Sequence, residues 1–491
     1  MTETLRNYID GAWQPARGAA LLDVENPSTG ETIAQVPLSE RKHLDQAVDA
    51  ARRAFASWAA EPVARRCEPL RRLAALMRED MEATSRVLTR EMGKSLPDSR
   101  AEMKRAIENV DIACTAPLVQ QGEKLVGASH GIDGEVLRVP VGVFGVIAPF
   151  NFPAMVPFWF VPYAVATGNT IMVKPSERVP STMAHLASLM DRCGFPAGVV
   201  NVVHGDRAVA EALSEHDGVD GLSFVGTTRV CRIIAERCAR TRKRCQVMGG
   251  AKNHLVVLPD ANMDQVIRNM VTSCYGCAGQ RCMAASAIVC VGEATHEEVV
   301  SRFVQASREV RVADPLDPAV ADEPMVMGPV ISAQARRFIV ETIEKGCAEG
   351  ARLALDGRDV RVPGREGGHF LGPTVFTDVR PGSLLHATEI FGPVVVILRA
   401  ASLDEAIGII NDHPYGNGAS LYTQDGYAAR RFKLEARAGM IGINVGIPAP
   451  VASLPFGGMK DSVWSDIKAQ GRAAFRFYTD EKVVTERYWA S

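Results

Sequence analysis

The chain contains no window of about 18 consecutive apolar residues, the length that a membrane-crossing helix needs, so no membrane span is expected. An excess of charge is also missing. Its 55 lysines and arginines against 57 aspartates and glutamates leave a net charge of −2, without a long basic block. Nucleic acid and anionic membrane surfaces are therefore not expected partners. No apolar segment follows Met1-Thr2-Glu3-Thr4-Leu5-Arg6, which argues against a secretory signal. The eleven cysteines are an odd number without disulfide-like spacing, and they suggest a reduced, cytoplasmic or organelle-matrix protein. Nor does G-x-G-x-x-G follow any strand-like run, so the usual dinucleotide fingerprint is absent. What remains is an ordinary globular composition, 47% apolar and 23% charged, in line with soluble proteins. At 491 residues the chain is too long for one core, and two or three domains are expected.

Against this background one stretch stands out, Gly276-Cys277-Ala278-Gly279-Gln280-Arg281-Cys282-Met283-Ala284. It sets Cys282 after a glycine-rich turn and directly after an arginine, just before the apolar run Ala287-Ile288-Val289-Cys290-Val291. A thiol held on a loop against a rigid element, with a cation beside it, can have a lowered pKa and act as a nucleophile. Cysteine is also a common inert core residue, and Cys274, Cys277 and Cys282 could belong to a metal site. A structural zinc site needs four ligands, and no second Cys/His pair of suitable spacing occurs. No metal is expected, and Cys282 reads as the nucleophile.

Residues 7–36 read as short strands punctuated by the turn signals Asp10-Gly11, Asn26-Pro27 and Thr29-Gly30, each a known strand breaker. Helical periodicity follows, with Leu44, Ala47, Val48 and Ala51 on one face and Leu70, Leu73, Leu76 and Met77 on another. Ser39 is a candidate N-cap for the first of these helices. A further helix over 100–114 carries Arg105, with Glu102 three residues earlier at ion-pair spacing. After a strand over 134–139, the apolar runs 141–147, 170–173, 199–203 and 221–225 alternate with helical segments. That alternation predicts an α/β fold with a parallel sheet, whose ligands bind beyond the carboxyl ends of the strands. Asn151, Lys174, Glu177, Gly205, Gly226 and Thr227 fall at those ends and suggest a nucleotide pocket. A second α/β segment extends from near residue 253 to 440, with strands at 255–258 and 394–398 and a helix near 297–310. The tail over 476–487 reads as an extended strand, and such a strand is expected to pair, a subunit partner being a good candidate.

The ordered set Pro149-Phe150-Asn151-Phe152-Pro153, Lys174-Pro175-Ser176-Glu177, Phe224-Val225-Gly226-Thr227-Thr228, Gly279-Gln280-Arg281-Cys282 and Glu389-Ile390-Phe391-Gly392-Pro393 resembles the NAD(P)-dependent aldehyde dehydrogenase superfamily over nearly the whole chain. Within it, Gly250-Ala251-Lys252-Asn253-His254, Gly442-Ile443-Asn444-Val445-Gly446-Ile447-Pro448 and Phe456-Gly457-Gly458-Met459-Lys460-Asp461-Ser462 are similar to the coenzyme-A-acylating, methylmalonate-semialdehyde dehydrogenase branch. The resemblance implies an aldehyde dehydrogenase-like fold, two α/β domains with parallel-sheet cores plus a β oligomerisation arm. It implies an NAD-binding domain over 1–122 and 142–249 and a catalytic domain over 250–440. The arm would comprise 123–141 and 466–491, and a return segment over 441–465 would line the active site. Cys282 would attack the aldehyde carbon, while the Asn151 amide and the Cys282 N–H receive the oxyanion. NAD would be held by Ala148, Phe150, Lys174, Glu177, Arg178, Thr227 and Glu389, with Lys174 and Glu177 at the adenosine ribose and Glu389 at the nicotinamide ribose. A carboxylate at the ribose favours NAD over a 2′-phosphorylated cofactor. Arg105 and Arg281 would hold a substrate carboxylate through forked hydrogen bonds.

Two departures bear on function. Most members of the superfamily carry Glu-Leu-Gly-Gly, whose glutamate activates water, where this chain has Val247-Met248-Gly249-Gly250. Valine cannot accept a proton, so the coenzyme A thiol should compete well with water. In addition, Arg229 and Cys231 stand where the superfamily has a proline and a glycine on the helix facing the pyrophosphate. Cys231 could hinder close approach there, or Arg229 could add a phosphate contact. The leading expectation is an NAD-dependent dehydrogenase of malonate or methylmalonate semialdehyde with coenzyme A as co-substrate, releasing carbon dioxide and acetyl- or propionyl-coenzyme A. A hydrolytic aldehyde dehydrogenase giving a free acid is the alternative, and a non-catalytic relative that keeps only the fold is a third. The retained Cys282, Asn151 and Glu389 speak against the last, since a scaffold needs no thiol and oxyanion donor together. The tail strand and the resemblance also imply a homo-oligomer, either a dimer or a tetramer. The aliphatic stretch Ile447-Pro448-Ala449-Pro450-Val451 is expected to shape the substrate pocket.

Overall fold

The computed structural model describes residues 2–489. One sheet orders the strands Arg244–Met248, Gly221–Val225, Val143–Ile147, Thr170–Lys174 and Val200–Val202, all parallel. Asn7–Ile9 and Ala12–Gln14 add to its edge in antiparallel sense. The central strands are buried throughout, and strands covered on both faces read as unbroken apolar runs. The edge hairpin turns on Asp10 and Gly11, at φ of 55° and 73°, a conformation that Asp-Gly adopts at low cost.

A second sheet orders Arg352–Leu355, Thr374–Thr377, Val394–Ala400, Ala285–Val291, Asn253–Val257, Gly418–Tyr422 and Met440–Ile443. It is parallel except at Arg352–Leu355, which runs antiparallel to Thr374–Thr377. Both cores are therefore parallel sheets with antiparallel edges rather than parallel throughout. An edge strand needs no crossover helix to join its neighbour.

Three antiparallel strands, Glu123–Ser129, Ile132–Pro140 and Thr479–Arg487, form a separate arm. The terminal strand pairs with its own chain, in continuous register from Thr479↔Pro140 to Arg487↔Ile132. It begins later than the sequence suggests, because Gly471–Phe477 is a short helix. Asn169 and Arg244 hold its root, donating to the carbonyls of Tyr478 (2.7 Å) and Thr479 (2.7 Å).

Helix Arg41–Ala60 is capped by Glu40, in a reciprocal box with His43. Ser39 is not the cap; its hydroxyl is buried against the Asn7 amide at 2.9 Å. Helix Leu96–Ala113 starts from Ser95, whose hydroxyl accepts from the Asp98 N–H at 3.1 Å. Among the described residues no helix is long and apolar enough to cross a membrane. The two large sheets are joined where Asn151, just past strand Val143–Ile147, donates to the Gln280 carbonyl (3.0 Å) ahead of strand Ala285–Val291.

Candidate active site

Helix Met263–Tyr275 ends at Gly276, and the chain then passes through Cys277, Ala278 and Gly279 at φ of 53°, 53° and 71°. Such a conformation costs about 1–3 kcal/mol for each non-glycine residue, so the loop needs outside support. Gln280 supplies part of it, donating to the Cys277 carbonyl (3.1 Å) and accepting from the Ile331 N–H (2.9 Å). The Cys282 carbonyl accepts from the amides of Asn253 (2.8 Å) and Asn417 (2.9 Å). Gly279 is obligatory, since a Cβ there would strike the Gly392 carbonyl. The loop delivers Cys282 to a cavity of about 220 Å³ that Arg281, Arg105 and Asp98 also line. Phe152, Met155, Trp159, Phe456 and Ile447 form its apolar wall, joined by Ala449 and Pro450 of the expected aliphatic stretch.

The adjacent cation does not activate this thiol as the spacing predicts. Burial, and then the negative charge of Glu389, push the Cys282 thiol up to about 12, against which Arg281 is a minor influence. Arg281 is spent elsewhere, with Nη2 on Asp98 at 2.5 Å and Nε at 3.2 Å from the Cys277 sulfur. The expected pair of Arg105 with Glu102 is also absent. Arg105 turns to Glu108 (2.8 Å), one turn further along, while Glu102 meets Lys94 at 2.5 Å with both side chains fully buried. Asn151 commits one amide hydrogen to Gln280, and the Cys282 N–H has no carbonyl partner among the described residues. The second Asn151 amide hydrogen has no partner among the described residues, although Asn151 is not among the residues that line the cavity, and the Cys282 N–H bonds to its own sulfur.

The other expected residues follow the carboxyl ends of strands of the first sheet, except Glu389, which meets Ala251 after the strand Arg244–Met248. Lys174 and Glu177 form an ion pair at 2.9 Å, but Lys174 is buried rather than solvated. Although burial pushes the Glu177 carboxyl upward, the Lys174 ammonium holds it below the usual range. The Ala148 N–H donates to the Lys174 carbonyl (3.0 Å), and Phe150 packs edge-on against Phe391. Glu389 accepts from the Ala251 N–H at 2.9 Å; burial pushes its carboxyl up to about 7, opposed by that bond and by Lys252. Arg178 and Thr227 are exposed. Thr227 precedes helix Thr228–Arg240 without capping it through its side chain, so the first N–H groups remain available to an anion. Near Lys174, burial and the Lys174 charge hold the buried His204 ring down at about 4. This set fits an adenine dinucleotide. Cys231 does not intrude, because its side chain is buried in the core beneath Gly249, whereas Arg229 is exposed.

Strand Arg244–Met248 resolves the missing base. Successive side chains on a strand face opposite ways. Val247 packs with Val143, Leu222 and Cys231 in the core of the first sheet. Met248 packs in the cluster shared by Cys277 and Met283, which Cys282 borders. Of the two, Met248 is thus on the side of Cys277, Met283 and Cys282, although neither lines the cavity, and neither can take a proton.

Several supporting residues have no role assigned by the motifs: Asp98, Lys94, Glu102 and Asn417, and also Lys252 and Asn253, which stand inside a quoted motif. The fully buried Lys252 ammonium donates to the carbonyls of Leu385 (2.8 Å) and Thr388 (2.9 Å), just ahead of Glu389. One signal was available in the sequence. Asp98, Glu102 and Arg105 recur at helical spacing, which puts them on one face, and that face also carries the buried Asn109.

The chain matches the aldehyde dehydrogenase family over residues 13–484. It is 43% identical over 487 residues to malonate-semialdehyde dehydrogenase 1 of Geobacillus kaustophilus, covering 99% of this chain and 98% of that one. It is 42% identical to malonate-semialdehyde dehydrogenase of Pseudomonas aeruginosa, covering 99% and 96%. The crystal structure of methylmalonate-semialdehyde dehydrogenase from Oceanimonas doudoroffii superposes with a TM-score of 0.97 at 39% identity, covering 100% of this chain and 99% of that one. A Sinorhizobium meliloti protein assigned to the same activity, complexed with NAD, gives 0.97 at 38% identity with the same coverage. The chain belongs to the aldehyde dehydrogenase family.

Proposed function

We propose that this protein is an NAD-dependent, coenzyme-A-acylating dehydrogenase of malonate or methylmalonate semialdehyde. One observation carries the reading: Cys282 shares a cavity of about 220 Å³ with two guanidiniums, Arg105 and Arg281. That set suits a small aldehyde bearing a carboxylate. Arg281 keeps Nη1 without a partner among the described residues. The names borne by relatives and structural neighbours support the same substrate class. In this reading the first sheet with 1–122 and 142–249 holds the cofactor, and 250–440 carries the nucleophile. Lys174 and Glu177 take the adenosine ribose hydroxyls, Glu389 the nicotinamide ribose, and Ala148, Phe150, Arg178 and Thr227 line the nucleotide pocket. Coenzyme A is the co-substrate.

NAD, when bound, supplies the hydride acceptor. Cys282 loses its proton to water and its sulfur bonds to the aldehyde carbon as the carbonyl π bond breaks, and the resulting oxyanion forms beside the second Asn151 amide hydrogen and the Cys282 N–H. Once that carbon has lost its hydride, Cys282 carries the acyl group as a thioester. No carboxylate stands at Met248 to activate water, so the coenzyme A thiol takes the acyl group. Loss of the substrate's carboxylate as carbon dioxide, with a proton from water taking its place on the α-carbon, leaves acetyl- or propionyl-coenzyme A. The arm's strands, Glu123–Ser129, Ile132–Pro140 and Thr479–Arg487, are the contact surface of a homo-oligomer, and the compartment is cytoplasmic, in keeping with eleven free thiols.

The test is NADH formation from malonate semialdehyde and NAD, with and without coenzyme A, identifying the acyl product by mass. Turnover that depends on coenzyme A and yields acetyl-coenzyme A is expected. Free acid formed at the same rate without coenzyme A would transfer the protein to the hydrolytic dehydrogenases.

A further inference from the structure

Close to the reacting groups lies a buried ion pair for which the mechanism above has no use. Lys94 follows helix Met81–Met92, Glu102 sits on Leu96–Ala113, and they meet at 2.5 Å with both side chains inaccessible. Withdrawing two charges from water is costly, and an apolar pair of similar volume is often as stable. Stability alone therefore gives little reason for these charges. Their remaining bonds give a better one. Lys94 Nζ donates to the main-chain carbonyl of Asn151 (2.6 Å) and lies 4.0 Å above the centre of the Phe152 ring. Glu102 Oε1 accepts from the N–H groups of Ala154 (2.8 Å) and Met155 (2.9 Å).

The segment 151–155 is thus gripped at both ends by one pair of charges. Its first carbonyl takes an ammonium hydrogen, and its last two N–H groups share a carboxylate oxygen. A charged donor and acceptor make such bonds short and strong. On the other side, the Asn151 amide is tied to Gln280 of the nucleophile loop. With the backbone fixed by Lys94 and Glu102 and one amide hydrogen fixed by Gln280, the direction of the second hydrogen is set. We propose that Lys94 and Glu102 are positioning residues that aim the Asn151 amide at the oxyanion, acting through the backbone of 151–155 and not on the substrate. The inference rests on Asn151 being the oxyanion donor.

The experiment measures kcat and KM for malonate semialdehyde, with NAD and coenzyme A, in K94M, E102Q, K94M/E102L and N151A, and in N151A combined with each of the others. Asn151→Ala examines the underlying reading first, with an expected kcat loss of about 100-fold or more. An unchanged kcat in N151A removes the oxyanion role and the positioning role together. Given the loss, Lys94→Met and Glu102→Gln are each expected to lower kcat about 10- to 100-fold with KM changed less than about threefold. In the N151A background each should lower kcat less than about threefold further, because coupled residues are non-additive. Equal losses in both backgrounds would reduce the pair to a general structural role and overturn the positioning proposal, leaving Asn151 its function. So would a wild-type kcat in either single variant. If a single variant with one unpaired buried charge fails to fold, the charge-free K94M/E102L decides. It is expected to keep a native circular dichroism spectrum and urea midpoint while losing kcat. Failure of that variant to fold, or retention of its kcat, overturns the proposal.

Discussion

At Cys282 the surroundings oppose the ionised thiol, since burial and Glu389 both raise its pKa, to about 12. Glu389 has itself been raised by burial to about 7, so its charge is present above neutrality and lost below it. Both signs lead to one prediction for the cofactor-free protein. Alkylation of Cys282 by iodoacetamide, followed on its own peptide by mass spectrometry, should be slow at pH 7 and climb through pH 10 without a plateau. Glu389→Gln removes the repelling charge, lowers the thiol pKa and raises the rate at pH 8–9 by several-fold, a full unit being worth about tenfold. Below pH 7, where Glu389 is protonated in the wild type, the two rates should converge. A plateau near pH 8, or a slower variant, would contradict this field. Arg281 shows why sequence proximity misleads here: its neighbour in the chain is Cys282, but its bonds go to Asp98 and Cys277.

Elements reveal which parts of the molecule were legible in the sequence. Strands such as Thr170–Lys174 and Gly221–Val225 are buried on both faces, and that burial writes itself as an apolar run. Arg244–Met248 hides because Arg244 and Gln246 direct their side chains to carbonyls of the C-terminal segment, giving a strand with polar residues. Asn7–Ile9 reads as a strand, but its partner Val200–Val202 is far away in sequence and no local pattern announces it. The site divides in the same way. Cys282, Asn151 and Glu389 sit in recognisable motifs, whereas Lys94 and Glu102 are charges that sequence alone assigns to solvent and the fold buries. The register of Arg244–Met248 is open to direct test, because a one-residue shift reverses every side chain. Met248→Glu should raise free-acid formation without coenzyme A by at least about tenfold, a modest share of what a positioned base supplies. Val247→Glu should gain no hydrolysis and instead lose about 3 kcal/mol or more in urea unfolding, from an unpaired charge in the first core. Hydrolysis gained in V247E and not in M248E would restore the register read from the sequence.

On the scale of the whole molecule, the arm is the part whose surface a single chain leaves unfinished. Its outer strands, Glu123–Ser129 and Thr479–Arg487, each have one unpaired edge. Leu125, Val126 and Val483 are 63%, 74% and 73% exposed, and exposed apolar edges favour association unless they are covered. A second copy of the chain satisfies both conditions at once, burying the apolar side chains and removing the edges from water. Val126→Asp combined with Val483→Asp should therefore convert a dimer or tetramer into monomer by sedimentation equilibrium. The fold should survive, because the arm's root is held within the chain by Asn169 and Arg244. Activity per chain should change less than about twofold, the usual scale for surface changes remote from packing or chemistry, since no residue of the arm's strands lines the Cys282 cavity. An unchanged mass in V126D/V483D would place the contact surface elsewhere, and loss of activity on dissociation would show that a neighbouring copy supports the cavity after all.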